Sequence, residues 1–479
     1  MDCGIAAAMC SINTQPGVCA LAGSAFVTIW RPGADPLTID GNVAVPGLGD
    51  TPIGTLLPEP VLIDYGGGIQ TLVGASSVAV PGTLAALFLA SERFGELPWK
   101  TVLAPTIRAA REGFPFPAAC HYFLNYAGDL IYGRSIEGHS AIHNHGGSLR
   151  EVGSTIMVPY LADSLEAIAD QGQRIFYEGE IGQRIVEHIQ AGGGRLSRED
   201  LASYEPELRP SLLVDIGEWT IATNPPPAIG GANLAAMLLA FGTSRFDDWD
   251  DEHLRRLVRV QHAVMAYRKE RLDPEVDIAE PARRMLELAS SGEILSRWAS
   301  ASTVHTSAID KTNTACAITA SSGYGSGEMP PGTGLWLNNC LGELELNLEG
   351  LEAGPPGRRL PSNMAPSVAR SSDGVMAFGS PGADRITTAI HQFLVNFLQR
   401  GMSLDDAVAA PRLHLRVDDA HLDVAVEPGL DLHDEQHTVT RFEDINMYFG
   451  GLAVAIEQAG SQFQVAADPR REGGTYIGP

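Results

Sequence analysis

The most constraining stretch of this 479-residue chain is a pair of short runs at residues 303–309 and 315–322. In the first run two sets of side chains alternate: Val304, Thr306 and Ala308 against His305, Ser307 and Ile309. The polar residues 310–314 separate it from a second run of small and β-branched residues. Period-two alternation on either side of a polar turn predicts a β-hairpin. Taken alone, Thr303 at its start is most simply a residue of high β-propensity.

Thr303, His305, Ser307 and Asp310 give the spacing T-x-H-x-S-x-x-D. This spacing resembles the stretch that opens the small subunit of γ-glutamyltranspeptidases, which are N-terminal-nucleophile hydrolases. Further segments similar to that family follow one another in family order: residues 80–82, 94–99, 225–231, 334–339, 361–364, 379–382 and 406–412. Because the order is kept along the chain, the resemblance covers its whole length.

The resemblance implies an α+β fold, the four-layer αββα sandwich. It divides the chain into a large segment, 1–302, and a small segment, 303–479, which together build one structural domain. Thr303 would begin an inner strand and face a cleft between the central sheets. Self-cleavage between Ser302 and Thr303 would expose the hydroxyl as nucleophile and the α-amine as base. An α-amine, with an ordinary pKa of about 7.7–8.0, accepts a proton near neutral pH.

Acyl transfer places negative charge on an oxygen, which backbone N–H groups stabilise. By resemblance, Gly382 and Ala383 form this oxyanion hole; the alanine fits if its φ is negative. Ser321 lies near the position of a hydroxyl that the family bonds to its nucleophile. Arg385 is either a ligand contact or half of a structural ion pair. His305 shares a strand face with Thr303, since side chains repeat every two residues, and is expected to support the site.

The residues that would recognise a glutamyl group depart from the family pattern. Asn42 stands where the resemblance places an arginine for the substrate carboxylate, so the charge and the bidentate fork are lost. Asn338 and Asn339 match the family's paired asparagines, and Asn339 is expected to contact the substrate. Glu343 follows the pair and replaces the family's aspartate for the substrate amine. Ser362 and Asn363 replace its paired serines. The sequence therefore predicts retained cleavage chemistry with a changed substrate.

The first hypothesis is a self-processing hydrolase that cleaves a small non-glutamyl acyl substrate. It would cut an amide or, as in related proteins of alkylproline natural-product pathways, a carbonyl-adjacent carbon–carbon bond. A second hypothesis is a true γ-glutamyl hydrolase or transpeptidase that binds the glutamyl group with different residues. A third is an unprocessed pseudoenzyme. Water or an amine would accept the acyl group. The two fragments would associate as a heterodimer, with further dimerisation left open, and no cofactor is expected.

The net charge of −25 argues against nucleic acid or an anionic membrane as partner. No window reaches the roughly 18 apolar residues of a membrane span. The six cysteines form no C-x-x-C pair and are expected to be reduced and mostly buried. His139, His143 and His145 lie in a polar loop, 131–148, where solvated side chains are favoured over a metal site. The start of the chain carries no basic segment, so the cytosol is expected unless the true start lies upstream.

The remaining pattern predicts alternating helical and extended regions. Residues 1–30 indicate a helix followed by a strand at 25–30, and residues 37–45 and 211–224 indicate further strands. Helices are predicted for most of 83–200 and 231–300, and again near 384–400 and 403–409. Strands flanked by helices on both sides of Thr303 favour stacked layers around one core.

Overall fold

The computed structural model describes residues 1–49, 58–64, 68–294, 303–417, 422–434, 437–458 and 463–478. The strands, β1 to β18, are Ser24–Trp30, Leu37–Gly41, Glu59–Ile63, Ile69–Val73, Phe114–Pro115, Thr155–Ile156, Glu207–Pro210, Leu212–Ile216, Trp219–Thr223, Val304–Ile309, Ala315–Ser321, Ser367–Arg370, Gly374–Gly379, Leu413–Val417, Leu422–Val426, Thr438–Arg441, Ala453–Gln458 and Gln464–Ala467. The α-helices, α1 to α14, are Asp2–Thr14, Thr83–Phe94, Trp99–Glu112, Ala118–Ala127, Ile136–Ile142, Leu161–Gln171, Arg174–Tyr177, Glu180–Ala191, Arg198–Ala202, Ile229–Phe241, Asp251–Arg271, Ala279–Ser291, Arg385–Leu394 and Leu404–Ala409.

Two large sheets form the centre of the fold. One has five strands in the order β10-β11-β1-β2-β7, and the other has six in the order β18-β17-β13-β12-β9-β8. Both sheets combine strands from before and after Thr303. The sheets face each other, with β10 and β11 against β13. Helices α1 and α2 cover the first sheet, whereas α10 and α13 cover the second, so the predicted αββα sandwich is confirmed.

The predicted hairpin is formed by β10 and β11. The strands pair antiparallel, with Val304 opposite Ala320 and Ile309 opposite Ala315. At the turn, the Asp310 carboxylate accepts hydrogen bonds from the backbone N–H groups of Thr312 and Thr314, at 2.9 and 3.1 Å. An aspartate that bonds the backbone two residues ahead is a standard way to fix a turn. In the five-stranded sheet β10 lies at the edge of the strand order, which corrects the expectation of an inner strand.

The polar stretch at 131–148 is not the loop that its composition predicts. Residues Ile136–Ile142 form α5, whose first turn is capped by the Ser135 hydroxyl accepting from the N–H of Gly138. His143 is buried and its Nε2 lies 3.0 Å from the Asp129 carboxylate, so the expectation of a solvated side chain is wrong for this histidine. His139 and His145 are exposed. The strand predicted at 37–45 ends at Gly41, and the strand predicted at 211–224 is two strands, β8 and β9. The helical region predicted at 231–300 contains α10, α11 and α12, the last ending at Ser291, and residues 295–300 lie outside the described residues.

Candidate active site

Thr303 lies directly before β10 and is only 2% exposed. The hairpin register, which pairs Val304 with Ala320, continues to place Thr303 opposite Ser321. Both residues line the same cavity. Its lining consists of Ser24, Asn42, Val43, Thr303, Ser321, Cys340, Glu343, Leu346, Pro361, Ser362, Asn363 and Met364. The proposed nucleophile is therefore buried in the wall of a small cavity that it shares with Ser321.

Ser321 and Ser24 form the part of the wall next to Thr303. The Ser321 hydroxyl accepts a hydrogen bond from the N–H of Gly323 at 3.2 Å. The Ser24 hydroxyl donates to the carbonyl of Ser321 at 3.2 Å, which ties β1 to the end of β11. Two adjacent strands thus fix the position of the hydroxyl that lies opposite Thr303.

His305 shares the strand face of Thr303 but is absent from the cavity lining. Its Nδ1 lies 2.8 Å from the Thr319 hydroxyl, and its Nε2 lies 2.8 Å from the Ser307 hydroxyl. Burial lowers the pKa of His305 to about 3. The neutral imidazole ring is held between two hydroxyl groups and stabilises the start of β10. These contacts do not support the prediction that His305 binds substrate directly.

Asn42 lines the cavity just beyond β2. Its Nδ2 donates to the carbonyl of Leu360 at 2.5 Å. A carbonyl only accepts hydrogen bonds, so the atom beside it must be the amide nitrogen, and Oδ1 is the atom left for the cavity. The backbone carbonyl of Asn42 is held by the Tyr204 hydroxyl and by Arg359, at 2.6 and 2.7 Å. Arg359 therefore supports Asn42 from behind.

Glu343 is 5% exposed and lines the cavity beside Cys340. Burial raises the pKa of Glu343 to about 8, with a smaller contribution from the Glu345 carboxylate and an opposing one from the hydrogen bond with Cys340. The turn at Gly323, where φ is +66°, leaves room for this carboxyl group, because a Cβ there would lie 2.8 Å from Oε2. Burial at this site therefore favours the protonated form of the Glu343 carboxyl group.

The other predicted substrate-binding residues divide into two groups. Ser362 and Asn363 line the cavity. The Oδ1 of Asn363 accepts a hydrogen bond from Arg268 at 2.8 Å. Asn339 lies outside the lining: its Nδ2 donates to the Thr71 hydroxyl at 2.8 Å, and its Oδ1 accepts from the N–H of Tyr324 at 2.8 Å. Asn339 thus ties β4 to the turn after β11.

The proposed oxyanion loop follows β13, whose last residue packs on the start of β10. A Cβ on Gly379 would lie 2.5 Å from Nδ1 of His305. Gly382 and Ala383 come three and four residues later and do not border the cavity, so their role stays a prediction. The φ of Ala383 is +74°, so the condition of a negative φ, under which an alanine would fit here, is not met. Arg385 is buried, with Nη1 donating to Asp384 at 2.6 Å and Nε to the carbonyl of Tyr448 at 3.0 Å, which supports the structural ion pair.

Replacing Gly382 by alanine is expected to destabilise the chain by about 3 kcal/mol or more, because strain and a backbone clash combine. Its φ is +124°, and an added Cβ would lie 2.7 Å from the Cα of Gly450. Gly74→Ala is the matched control, since φ is +99° there but nothing lies within 4 Å. The midpoints of urea denaturation measure both changes. Equal losses in the two variants would show that the Gly450 contact contributes nothing.

Several lining residues were not predicted from the sequence: Ser24, Val43, Cys340, Leu346, Pro361 and Met364. Pro361 and Met364 are the chain neighbours of the predicted Ser362 and Asn363. Their place in the cavity wall could therefore have been predicted from the same motif. Arg268, which bonds to Asn363, lies in a charge-rich part of α11 that is typical of a solvated helix face. Only the tertiary contact, 95 residues away along the chain, reveals its place.

Within the described residues, no group of three or more histidine, cysteine, aspartate or glutamate side chains is placed to hold a metal ion. None of the described helices combines the length and the apolar character needed to cross a membrane. Four of the six cysteines are buried, Cys10 is half-buried and Cys3 is exposed.

The layered fold and a threonine at a strand start define the class of N-terminal-nucleophile hydrolases. The family model described as gamma-glutamyltranspeptidase matches residues 1–478, and the chain belongs to that family. The chain is 28% identical to a glutathione hydrolase proenzyme of Pseudomonas aeruginosa, over 99% of this chain and 89% of that protein. It is 30% identical to the acylase ACY 1 proenzyme of a Pseudomonas species, over 72% of this chain and 65% of that protein.

Among solved structures, the cephalosporin acylase of Bacillus halodurans matches with a TM-score of 0.80 and 22% identity. The match covers 100% of this chain and 91% of the acylase chain. At this identity the likeness shows the fold. Membership of the family makes this chain an enzyme of the hydrolase and transferase type.

Proposed function

We propose that this chain is a self-processing acyl hydrolase whose nucleophile is Thr303 and whose substrate carries a small acyl group other than γ-glutamyl. In processing, the Thr303 hydroxyl attacks the carbonyl carbon of Ser302, and the Ser302–Thr303 C–N bond breaks to give an ester and a free α-amine. Water then hydrolyses the ester. Ser302 lies outside the described residues, so this step rests on the chemistry of Thr303 and on family membership.

In turnover, the α-amine of Thr303 takes the hydroxyl proton as the oxygen attacks the substrate carbonyl. The same ammonium then protonates the leaving amine, and an acyl-enzyme ester remains. Water, activated by the regenerated amine, releases the acid. Backbone N–H groups of Gly382 and Ala383 would stabilise the oxyanion, a role for which the family resemblance is the support.

The observation that carries the substrate proposal is the composition of the cavity wall. Among its described lining residues there is no arginine or lysine, and burial raises the pKa of the acidic member, Glu343, to about 8. Arg359, which bonds to the Asn42 carbonyl, stacks on the Tyr204 ring at 4.3 Å. A γ-glutamyl group needs a fixed cation for its carboxylate, and no arginine or lysine side chain of this wall supplies one. The wall suits a neutral acyl group.

Hydrolysis of γ-glutamyl amides is the second candidate, favoured by the glutathione hydrolase relatives and by Glu343 in the wall. Above its pKa of about 8, Glu343 becomes an anion that can bind an ammonium group. Cleavage of a carbon–carbon bond remains a prediction that no observation here favours.

The test compares p-nitroanilides of four acyl groups: γ-glutamyl, glutaryl, 4-carbamoylbutanoyl and pentanoyl. We expect kcat/KM at pH 7 to be at least about tenfold higher for the best neutral acyl group than for γ-glutamyl, because one charged hydrogen bond contributes about 1.5–3 kcal/mol. Thr303→Ala protein gives the background rate. If the γ-glutamyl anilide has the highest kcat/KM of the four, the second candidate function is favoured.

A further inference from the structure

The loop 379–384 connects β13 to α13 and carries two buried backbone N–H groups that donate to no acceptor in the described part of the chain. These are the N–H groups of Gly382 and Ala383. Ala383 is fully buried, and its methyl group belongs to the apolar cluster under the first sheet, which also contains Val304, next to Thr303. Buried N–H groups without an acceptor are rare in folded proteins. The two groups therefore support the proposed oxyanion role of this loop.

The direction of each N–H group is set by the carbonyl at the other end of its peptide plane. A trans peptide is planar, so its C=O and N–H groups point in opposite directions. The carbonyl of Gly382 accepts from the N–H of Arg385 at 3.0 Å, so the N–H of Ala383 points away from the first turn of α13. The carbonyl of Pro381 accepts from the Ser380 hydroxyl at 2.6 Å, which orients the N–H of Gly382 in the same way. A rotation of either peptide plane would redirect its donor.

This backbone conformation has to be held from outside the loop. The φ of Ala383 is +74°, a left-handed value that is unfavourable for a residue with a Cβ. Such a value persists only where the surrounding contacts impose it. The next residue, Asp384, makes such contacts. Its Oδ2 lies 2.6 Å from Nε2 of His414 on β14, and its Oδ1 accepts from Nη1 of Arg385 at 2.6 Å.

His414 is itself held on both sides, because its Nδ1 lies 3.1 Å from the Thr388 hydroxyl on α13. Asp384, His414 and Thr388 are each at most 2% exposed. Burial alone would raise the pKa of Asp384, but His414 and Arg385 favour the carboxylate and hold this pKa below its ordinary value. A hydroxyl, an imidazole and a carboxylate in this order also form hydrolase triads, but a hydroxyl that is 1% exposed does not reach a ligand. The chain of hydrogen bonds instead joins β14 to the residue after Ala383.

We propose that Asp384 and His414 are positioning residues for the proposed reaction: they hold the backbone of Ala383 so that the two N–H groups of the loop meet the oxyanion. The proposal rests on the proposed function for the identity of that anion. A purely structural role of the pair would change stability alone. Because the oxyanion forms only as the reaction proceeds, misplaced donors lower kcat and leave KM nearly unchanged.

The experiment measures kcat and KM of the purified full-length protein with the best p-nitroanilide of the acyl series, per mole of processed chain counted by intact mass. Asp384→Asn keeps the shape of the side chain but removes the charge that His414 and Arg385 bind. It is expected to lower kcat at least about tenfold and to change KM by less than about twofold. His414→Ala is expected to have the same effect. His414→Gln can still donate an amide N–H to Asp384 and is expected to recover part of the loss.

His437→Ala is the matched control. The Nδ1 of His437 lies 2.6 Å from the Asp434 carboxylate, and the two side chains are 7% and 8% exposed. The residue directly precedes β16, which is two strands away from β14 in the three-stranded sheet. Its replacement is expected to lower the melting temperature and to leave kcat unchanged.

A third variant decides if Asp384→Asn and His414→Ala fail to fold. Thr388→Val removes the outer hydrogen bond of His414 with little change in shape. It is expected to lower kcat about fivefold at unchanged KM, as for the loss of one neutral hydrogen bond.

Two outcomes would overturn the proposal: an unchanged kcat in a folded variant of Asp384, His414 or Thr388, or a loss of kcat/KM that lies wholly in KM. A loss confined to kcat, partly restored in His414→Gln and absent in His437→Ala, supports it. Failure of the proposed function gives a different result, because Thr303→Ala would then keep its turnover or the wild-type protein would hydrolyse none of the anilides. If Thr303→Ala is inactive while the variants of the pair keep the wild-type kcat, only the role of the pair is wrong.

Discussion

Thr303→Ala is expected to leave the chain as one uncut polypeptide and to lower the turnover of acyl anilides by at least about a thousandfold. The alanine removes the attacking oxygen for both reactions, and without the cut no α-amine is exposed to act as the base. Denaturing electrophoresis and intact mass measure processing. The initial rate with the best anilide of the acyl series measures turnover.

Two variants of the same hairpin serve as controls for Thr303→Ala. Thr303→Ser keeps a hydroxyl at the same position and is expected to process and to retain part of the activity. Thr306→Ala changes the same residue type on the opposite face of β10, since strand side chains alternate, and is expected to behave like the wild-type protein. If Thr303→Ala retains turnover, or if the wild-type chain stays intact, Thr303 is not the nucleophile and the unprocessed alternative gains support.

Much of the fold could be predicted because local pattern and family order agree. The hairpin from Val304 to Ser321 follows from its alternation and its polar turn, and the turn bonds of Asp310 match that prediction. The helix at Ile136–Ile142 could not be found in this way, because Gly, Ser and Asn dominate its surroundings. Its start depends on the Ser135 cap, a single hydrogen bond that composition does not reveal.

The residues of the candidate site also divide into those that the sequence predicts and those that only the packing reveals. Thr303, Asn42 and Glu343 were assigned from motif positions, and all three line one cavity. Asn339 was assigned by the same reasoning, yet its amide is used to join β4 to the turn after β11. A motif position gives the residue type but not the atoms that its side chain contacts. Arg268 illustrates the converse, since only packing reveals that a charged residue on α11 is buried against Asn363.

Glu343 is expected to make the free energy of unfolding vary strongly with pH. Its pKa is raised from 4.5 to about 8 in the folded chain. Between these two pH values the folded chain keeps a proton that the unfolded chain has released, so the free energy of unfolding falls as pH rises. This contribution is complete below about pH 4.5 and lost above about pH 8. The difference across the window is on the order of 5 kcal/mol.

Glu343→Gln is expected to remove this slope, because the amide cannot ionise. The comparison is made between Thr303→Ala and Thr303→Ala/Glu343→Gln, both uncut, from their urea midpoints at pH 5 and pH 9. The double variant should be the more stable of the two at pH 9 and similar at pH 5. Glu349→Gln is the control, since the side chain of Glu349 is 62% exposed and is expected to leave the slope unchanged. A steep slope that persists in the double variant would assign the effect to another group.

Processing is expected to change this titration. The new α-ammonium of Thr303 borders the same cavity as Glu343, and an opposite charge favours the ionised carboxylate. The pKa of Glu343 should therefore fall after the cut, and that of the amine should rise above its ordinary value of about 7.7–8.0. In the processed enzyme, kcat/KM should rise with pH as the amine loses its proton, and Glu343→Gln should move this rise to lower pH. An unchanged pH–rate profile in Glu343→Gln would show that the two groups do not interact.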